Sequence, residues 1–107
     1  MSEFVFLYST FPDELSARHV AEALVRAKLA ACVNLYPPMT SVFEWQGKLD
    51  TTREIAVFIK TRRALVDDAI AMARPMHPYT VPCFVVLPVE DGNDDYLAWA
   101  RARTERK

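Results

Sequence analysis

Two amphipathic helical patterns set between strand-like segments constrain this fold more than any other feature of the sequence. Residues 3–9 form an aromatic and β-branched run that is too short for a typical helix and predicts a central strand covered on both faces. The next segment carries apolar residues at helical spacing, namely Ala17, Val20, Ala21, Leu24 and Ala27. A second stripe of this kind, which Pro75 cannot continue, comprises Leu65, Val66, Ala69, Ile70 and Ala73. The chain is therefore expected to pack two helices against a sheet.

The remaining segments predict three more strands and a closing helix. A strand over 31–36 resumes over 40–45 after two prolines, and a glycine turn then leads into a strand over 54–60. Residues 41–60 are accordingly predicted to form a long hairpin. The fourth strand, over 81–89, has a proline near each end, which indicates the edge of a sheet. The closing helix carries its apolar residues at Tyr96, Leu97 and Ala100.

The order βαββαβ with an added C-terminal helix predicts an α+β, ferredoxin-like sandwich, in which helices cover one face of an antiparallel sheet. Strands two and four then lie at opposite edges. Cys32 in strand two and Cys83 in strand four are separated by about 14 Å in that arrangement, too far for a disulfide within one chain. Two open edges and an uncovered sheet face favour self-assembly, in which Cys32 of one copy can meet Cys83 of another.

Composition excludes several functional classes. The 107 residues have a formal net charge of −1 and 51% hydrophobic residues, values that predict a single folded domain over residues 1–107. There is no cluster of basic residues to neutralise phosphates, so nucleic acid is not expected as a partner. The apolar runs are strand-sized and no basic region precedes Phe4, which predicts a cytoplasmic protein without a membrane segment.

Large aromatic residues exceed what one small core can absorb. Phe43 and Trp45 fall at the hairpin, and Tyr96 and Trp99 fall on the closing helix. Aromatic side chains near a sheet edge are typical anchors of an interface, although they could instead cover the chain's own sheet. No nucleophile elbow, phosphate-binding loop or Cys-His motif is present, so an enzyme is not the leading interpretation.

Five segments together resemble the CutA divalent-cation tolerance proteins over most of the chain. They are LAACVN at 29–34, S-x-F-x-W-x-G-K at 41–48, Lys60-Thr61, HPYTVP at 77–82 and GNDDYLAW at 92–99, and Glu54 accompanies them. The resemblance implies a ferredoxin-like subunit, related to the PII signalling proteins, in a homotrimer whose sheets join along their edges. It also implies a role in tolerance of divalent cations, copper especially, in the response to metal ions.

The resemblance further implies candidate site residues. Cys32 occupies the cysteine of the AAC motif and His77 the histidine of HPY, which makes both candidate metal ligands. Cys83 stands where Glu is usual, and this exchange of a carboxylate for a thiol favours copper(I). Phe43 stands where Tyr is usual. Residues expected at the interface or in a cleft are Phe43, Trp45, Glu54, Lys60, Tyr79, Tyr96 and Trp99.

Copper or another divalent cation is thus the expected ligand, and none is expected to be required for folding. The alternative is a PII-like signalling or scaffold trimer whose intersubunit clefts receive a small metabolite or a partner protein. A third hypothesis is an enzyme that uses Lys60, Glu54 or His77 in such a cleft, which requires these three side chains to converge.

Overall fold

The computed structural model describes residues 2–105 and contains five strands and three helices. The strands are β1 (Phe4–Phe11), β2 (Cys32–Leu35), β3 (Met39–Trp45), β4 (Lys48–Arg62) and β5 (Val85–Pro88). The helices are α1 (Glu14–Arg26), α2 (Val66–Ala73) and α3 (Asp94–Arg103), and a short 3₁₀ turn lies at each end of α2. With β2 and β3 taken as one interrupted strand, this order is the predicted βαββαβ plus a final helix.

The strands form one antiparallel sheet in the order β2-β4-β1-β5, with β3 paired to the first half of β4. The predicted placement of strands two and four at opposite edges is confirmed, since β2 and β5 are separated by β4 and β1. The hairpin is also confirmed. Its two-residue turn places Gln46 and Gly47 at φ +52 and +80, the left-handed geometry that matches the twist of two antiparallel strands.

The predicted strand over 81–89 is too long. Pairing with β1 begins only at Val85, which lies opposite Tyr8, and ends at Pro88. Residues 81–84 are outside the ladder because Pro82 has no backbone N–H to donate and also restricts the residue before it. Residues 77–84 are consequently a loop rather than part of the sheet edge.

Helices α1 and α2 cover one face of the sheet and form the main core with it. The Asp13 carboxylate caps α1 by accepting from the Ser16 backbone N–H at 2.8 Å, and Ala73 ends α2 just before Pro75. Residues that meet in this core alternate along the strands and recur at helical spacing; they include Val5, Leu7, Phe11, Val20, Leu24, Ile55, Val57, Ile59, Val66 and Ala69. Both predicted helical stripes therefore face the sheet.

Helix α3 packs away from this core, against the opposite side of the sheet. Its Ala100 joins Phe4 and Ala31 in a small second cluster. Arg62 Nε donates to Thr104 Oγ1 at 2.9 Å and its guanidinium donates to the Thr104 carbonyl at 2.7 Å. These contacts tie the end of α3 to the end of β4.

Two buried hydroxyls give a test of the core. Ser9 Oγ is fully buried and has no hydrogen-bond partner, whereas Thr61 Oγ1 donates to the Leu29 carbonyl at 2.7 Å. Burying an unpaired hydroxyl costs roughly 1–3 kcal/mol, so Ser9→Ala should raise the free energy of unfolding by about 1 kcal/mol. Thr61→Val should lower it by about 1 kcal/mol.

Urea unfolding followed by far-ultraviolet circular dichroism measures both values. The two variants remove the same chemical group from the same core, so each serves as the control for the other. A loss of stability in Ser9→Ala equal to that in Thr61→Val would contradict the assignment of Ser9 as unpaired.

Candidate functional site

Aromatic rings occupy the sheet face opposite α1 and α2. Phe58 lies at their centre, with ring centroids 6.0 Å from Phe6, 5.3 Å from Tyr8 and 5.5 Å from Tyr36. Phe6, Tyr8 and Phe58 are half-buried, and Tyr36 is exposed. These four rings are called the open face below, and the exposed Val85 and Leu87 of β5 lie beside them.

The open face corrects one prediction. Residues 3–9 are expected to be covered on both faces, but within one chain α1 and α2 cover the side of Val5 and Leu7, and on the other side α3 buries Phe4 and leaves Phe6 and Tyr8 partly exposed. Phe6 and Tyr8 belong to the other side. A run that is apolar at every position carries no alternation, so it cannot show which face a chain leaves uncovered.

The two cysteines lie at opposite edges of the sheet, and both are free thiols, half-buried. Cys32 begins β2 opposite Lys60, and its Sγ accepts from Asn34 Nδ2 at 3.9 Å. Cys83 precedes β5. Burial raises the pKa of the Cys83 thiol, and the charge of Glu54 raises it further. In the isolated chain Cys83 is therefore held in its protonated form.

The Glu54 carboxylate interacts with several side chains near Cys83. Tyr79 Oη donates to Glu54 Oε2 at 2.8 Å. Burial raises the pKa of Tyr79, and the bond to Glu54 adds to the shift. Burial also raises the pKa of Tyr8, and the charges of Cys83 and Glu54 raise it further. One acidic side chain is thus close to two phenols and a thiol.

His77 is hydrogen-bonded at both ring nitrogens. Nδ1 accepts from the Tyr79 backbone N–H at 3.1 Å, so Nε2 carries the proton and donates to the Thr10 carbonyl at 2.9 Å. The ring stacks on Phe11 with centroids 4.2 Å apart and meets Phe84 edge-on. This buried imidazole holds the 77–84 loop against the end of β1.

The predicted metal ligands do not come together within one chain. Among residues 2–105 there is no group of three or more His, Cys, Asp or Glu side chains that could hold a metal ion. Cys32 and Cys83 are separated by two strands, and both nitrogens of His77 are already bonded to backbone. A site built from Cys32, His77 and Cys83 would therefore have to combine more than one copy and release the His77 ring.

The remaining predicted residues lie at two other places. Phe43 and Trp45 are exposed on the hairpin, and Tyr96 and Trp99 are exposed on α3 with ring centroids 5.7 Å apart. Lys60 Nζ lies over the rings of Phe6 and Tyr96.

Lys60 and Glu54 do not converge in one chain. They are six residues apart in the same strand, about 20 Å at the usual rise of a strand. The convergence with His77 that the enzyme hypothesis requires is thus absent from the single chain.

The four rings of the open face escaped the site prediction, apart from the general expectation of an uncovered face. A usable signal was present, because Phe6 and Tyr8 are two positions apart and so share a side of their strand.

No helix within residues 2–105 is both long and apolar enough to cross a membrane.

The order of the strands and the placement of the helices define the fold class of this chain. An antiparallel sheet in the order β2-β4-β1-β5 with two crossover helices on one face places the chain in the ferredoxin-like class of α+β proteins. Residues 5–103 match the family model described as CutA1 divalent ion tolerance protein. The chain belongs to this family, as its motifs predict.

Individual relatives agree with this assignment. The chain is 41% identical over 104 residues to the divalent-cation tolerance protein CutA of Thermus thermophilus, covering 97% of this chain and 99% of that protein. It is 45% identical over 98 residues to human protein CutA, covering 92% of this chain but only 55% of the human protein. The chain thus spans about half the length of its human relative.

Solved structures show the same fold. The crystal structure of CutA from Xylella fastidiosa superposes with a TM-score of 0.94 at 38% identity, covering 97% of this chain and 100% of that one. CutA1 from Thermus thermophilus gives a TM-score of 0.91 at 39% identity, covering 95% and 99%.

The environment of His77 predicts how stability depends on pH. Burial lowers the pKa of His77 below its ordinary value of 6.5, and this outweighs the opposing effects of the Thr10 carbonyl and Glu54. The unfolded chain therefore takes up a proton at a higher pH than the folded chain. The stabilisation from neutral His77 is fully present above pH 6.5 and is lost as the pH falls from there through the folded-state pKa.

Urea unfolding of the wild type and of His77→Gln at several pH values between 5 and 8 measures this effect. The stability difference between the two should shrink as the pH falls. His19→Gln, which removes an exposed histidine from α1, is the matched control and should keep the wild-type pH dependence. A difference between wild type and His77→Gln that stays constant over this range would contradict the prediction.

Proposed function

We propose that this protein is a homotrimer that binds copper or related cations at the junctions between its copies and acts, without catalysis, in the cellular response to divalent metal ions. The main support for a trimer is the open face, because its four rings are partly or largely exposed in a single chain. Family membership supports the connection to divalent ions.

The open face and the two sheet edges together favour association. Val85 and Leu87 of β5 are 48% and 42% exposed, and Tyr36, next to β2, is 53% exposed. Apolar patches of this kind on a small domain mark interaction surfaces. Strands β2 and β5 also present unpaired backbone groups at the two edges of the main sheet, which can pair with another copy.

Edge-to-edge joining supplies the metal ligands that a single chain lacks. When the β2 edge of one copy meets the β5 edge of the next, Cys32 of the first copy and Cys83 of the second lie along the same seam. Two thiolates are soft ligands that favour copper(I) over harder ions. Binding of a cation also offsets the burial and the Glu54 charge that keep the Cys83 thiol protonated.

This arrangement assigns different roles to the three predicted ligands. Cys32 and Cys83 bind the metal, whereas His77 contributes only if its ring gives up the Thr10 carbonyl. A cytoplasmic location is part of the proposal, because reduced thiols persist there.

The assembly is tested by placing a charge in the open face. Phe58→Asp puts a carboxylate at the centre of the four rings, where burial between copies would leave it unpaired. Native mass spectrometry should show the wild type at three times the 12.2 kDa of one chain and the variant as a monomer. Leu15→Asp, at a side chain 65% exposed on α1, is the matched control and should remain trimeric. A trimeric Phe58→Asp, or a monomeric wild type, would refute the proposed interface.

Copper binding is tested with the reduced protein and copper(I) in the same instrument. The wild type should bind about one copper per chain, because three copies form three seams. Cys32→Ser and Cys83→Ser should each lose this copper while remaining trimeric. Met72→Leu removes an exposed soft thioether from α2 and should bind as the wild type does. Retention of specific copper by both serine variants would refute the seam site.

A further inference from the structure

An apolar cavity lies between α3 and the sheet, at the end of the molecule away from Glu54. Its volume is about 150 Å³, and its walls come from β1, the end of β4, the segment after β5, and α3. Of the lining residues, Phe4 and Ala100 are buried, whereas Asp91 and Tyr96 are exposed. The accessible surface of the walls is almost entirely carbon, and Phe6, Val89 and Leu97 are among the apolar side chains that line it.

One cation lines this cavity. Lys60 is half-buried, and its Nζ lies 5.5 Å from the centroid of the Phe6 ring and 5.7 Å from that of Tyr96. Within residues 2–105 the ion pairs are Arg18 with Glu14 and Arg101 with Glu3, and neither involves Lys60. The ammonium group is therefore balanced by two ring faces rather than by a carboxylate.

The size and charge of the cavity define a class of ligand. A cavity of about 150 Å³ lined by apolar side chains is large enough to hold a benzene ring in an engineered protein of another fold. The ammonium group of Lys60, which lines the cavity, can donate to a carboxylate, while the ring or a branched alkyl group of the same molecule fills the apolar part. We propose that this cavity binds small monocarboxylates with a compact apolar body, of the size of benzoate.

Asp91 restricts the charge of that ligand. Asp91 is an exposed residue of the lining, and its Oδ1 accepts from the Gly92 backbone N–H at 2.8 Å. A ligand with a second carboxylate would bring like charges together at this point, and such repulsion excludes competitors. The site is therefore expected to prefer a monoanion to a dianion.

The proposal is independent of copper binding, because Cys32, His77 and Cys83 do not line the cavity. Its lining residues all belong to a single chain, although Phe6 is also one of the four rings of the open face. Native mass spectrometry of the same samples reports assembly separately from ligand binding.

Titration with sodium benzoate, followed by the methyl resonances of Val89 and Leu97, tests the site. Saturable shifts of these methyl groups are expected for the wild type. Lys60→Met keeps the length and apolar stem of the side chain but removes its charge, and should weaken benzoate binding at least tenfold. Lys48→Met, at an exposed lysine next to the hairpin turn, is the matched control and should bind benzoate as the wild type does.

Two further probes separate the parts of the proposal. Benzyl alcohol has the same ring without the charge, and its weaker binding should be unaffected by Lys60→Met. Phthalate carries two carboxylates and should bind at least tenfold more weakly than benzoate. Absence of saturable methyl shifts, or equal benzoate affinity in the wild type and a folded Lys60→Met, would overturn the proposal. Equal wild-type affinity for benzoate and benzyl alcohol would also overturn it, since the cavity would then not recognise the charge.

Discussion

The hydrogen-bonded ladders of β4 are the constraint on which the rest of the molecule depends. This strand of 15 residues pairs with β3 along its first half and with both β1 and β2 along its second half. Its alternation also determines what each side of the sheet presents. Val57 and Ile59 enter the core, while Phe58 and Lys60 point the other way. A shift of one residue in its register would exchange these two sets and remove the core and the open face together.

Positioning of the loop after α2 depends on a different kind of interaction. His77 is bonded at both nitrogens and enclosed by aromatic rings, and Tyr79 is bonded to Glu54. A histidine-containing motif that resembles a metal-binding element thus contributes to tertiary structure in the single chain. The same contacts bring Cys83 close to a carboxylate. The positions of Tyr79 and Cys83 beside Glu54 therefore depend on how the loop packs around the neutral His77 ring.

The sequence predicted those features that depend on local patterns. Both core helices followed from spacing, Pro75 located the end of α2, and the glycine turn located the hairpin, because helical periodicity and turn chemistry act over a few residues. The limits of strand four were wrong because the two prolines were interpreted as marks of an edge, whereas Pro82 also prevents pairing before Val85.

The bonds of His77 to Thr10, 67 residues away, and the ring cluster of Phe6, Tyr8, Tyr36 and Phe58 arise from tertiary contacts that no local pattern encodes. The sequence also placed Lys60 in a cleft without indicating its partners. Metal ligands that come from different copies cannot be identified from local sequence patterns or from the structure of a single chain.

The positions of the two tryptophans determine how this protein reports on its own state. Trp45 lies near the tip of the hairpin and Trp99 on α3, and they are 52% and 45% exposed. These are the two tryptophans of the chain, so indole fluorescence arises entirely from surface groups. Because neither indole lies in the core, fluorescence from a folded copy reports only weakly on melting of the core. Emission will instead respond to whatever covers the hairpin or α3, which makes the natural fluorophores sensors of association rather than of folding.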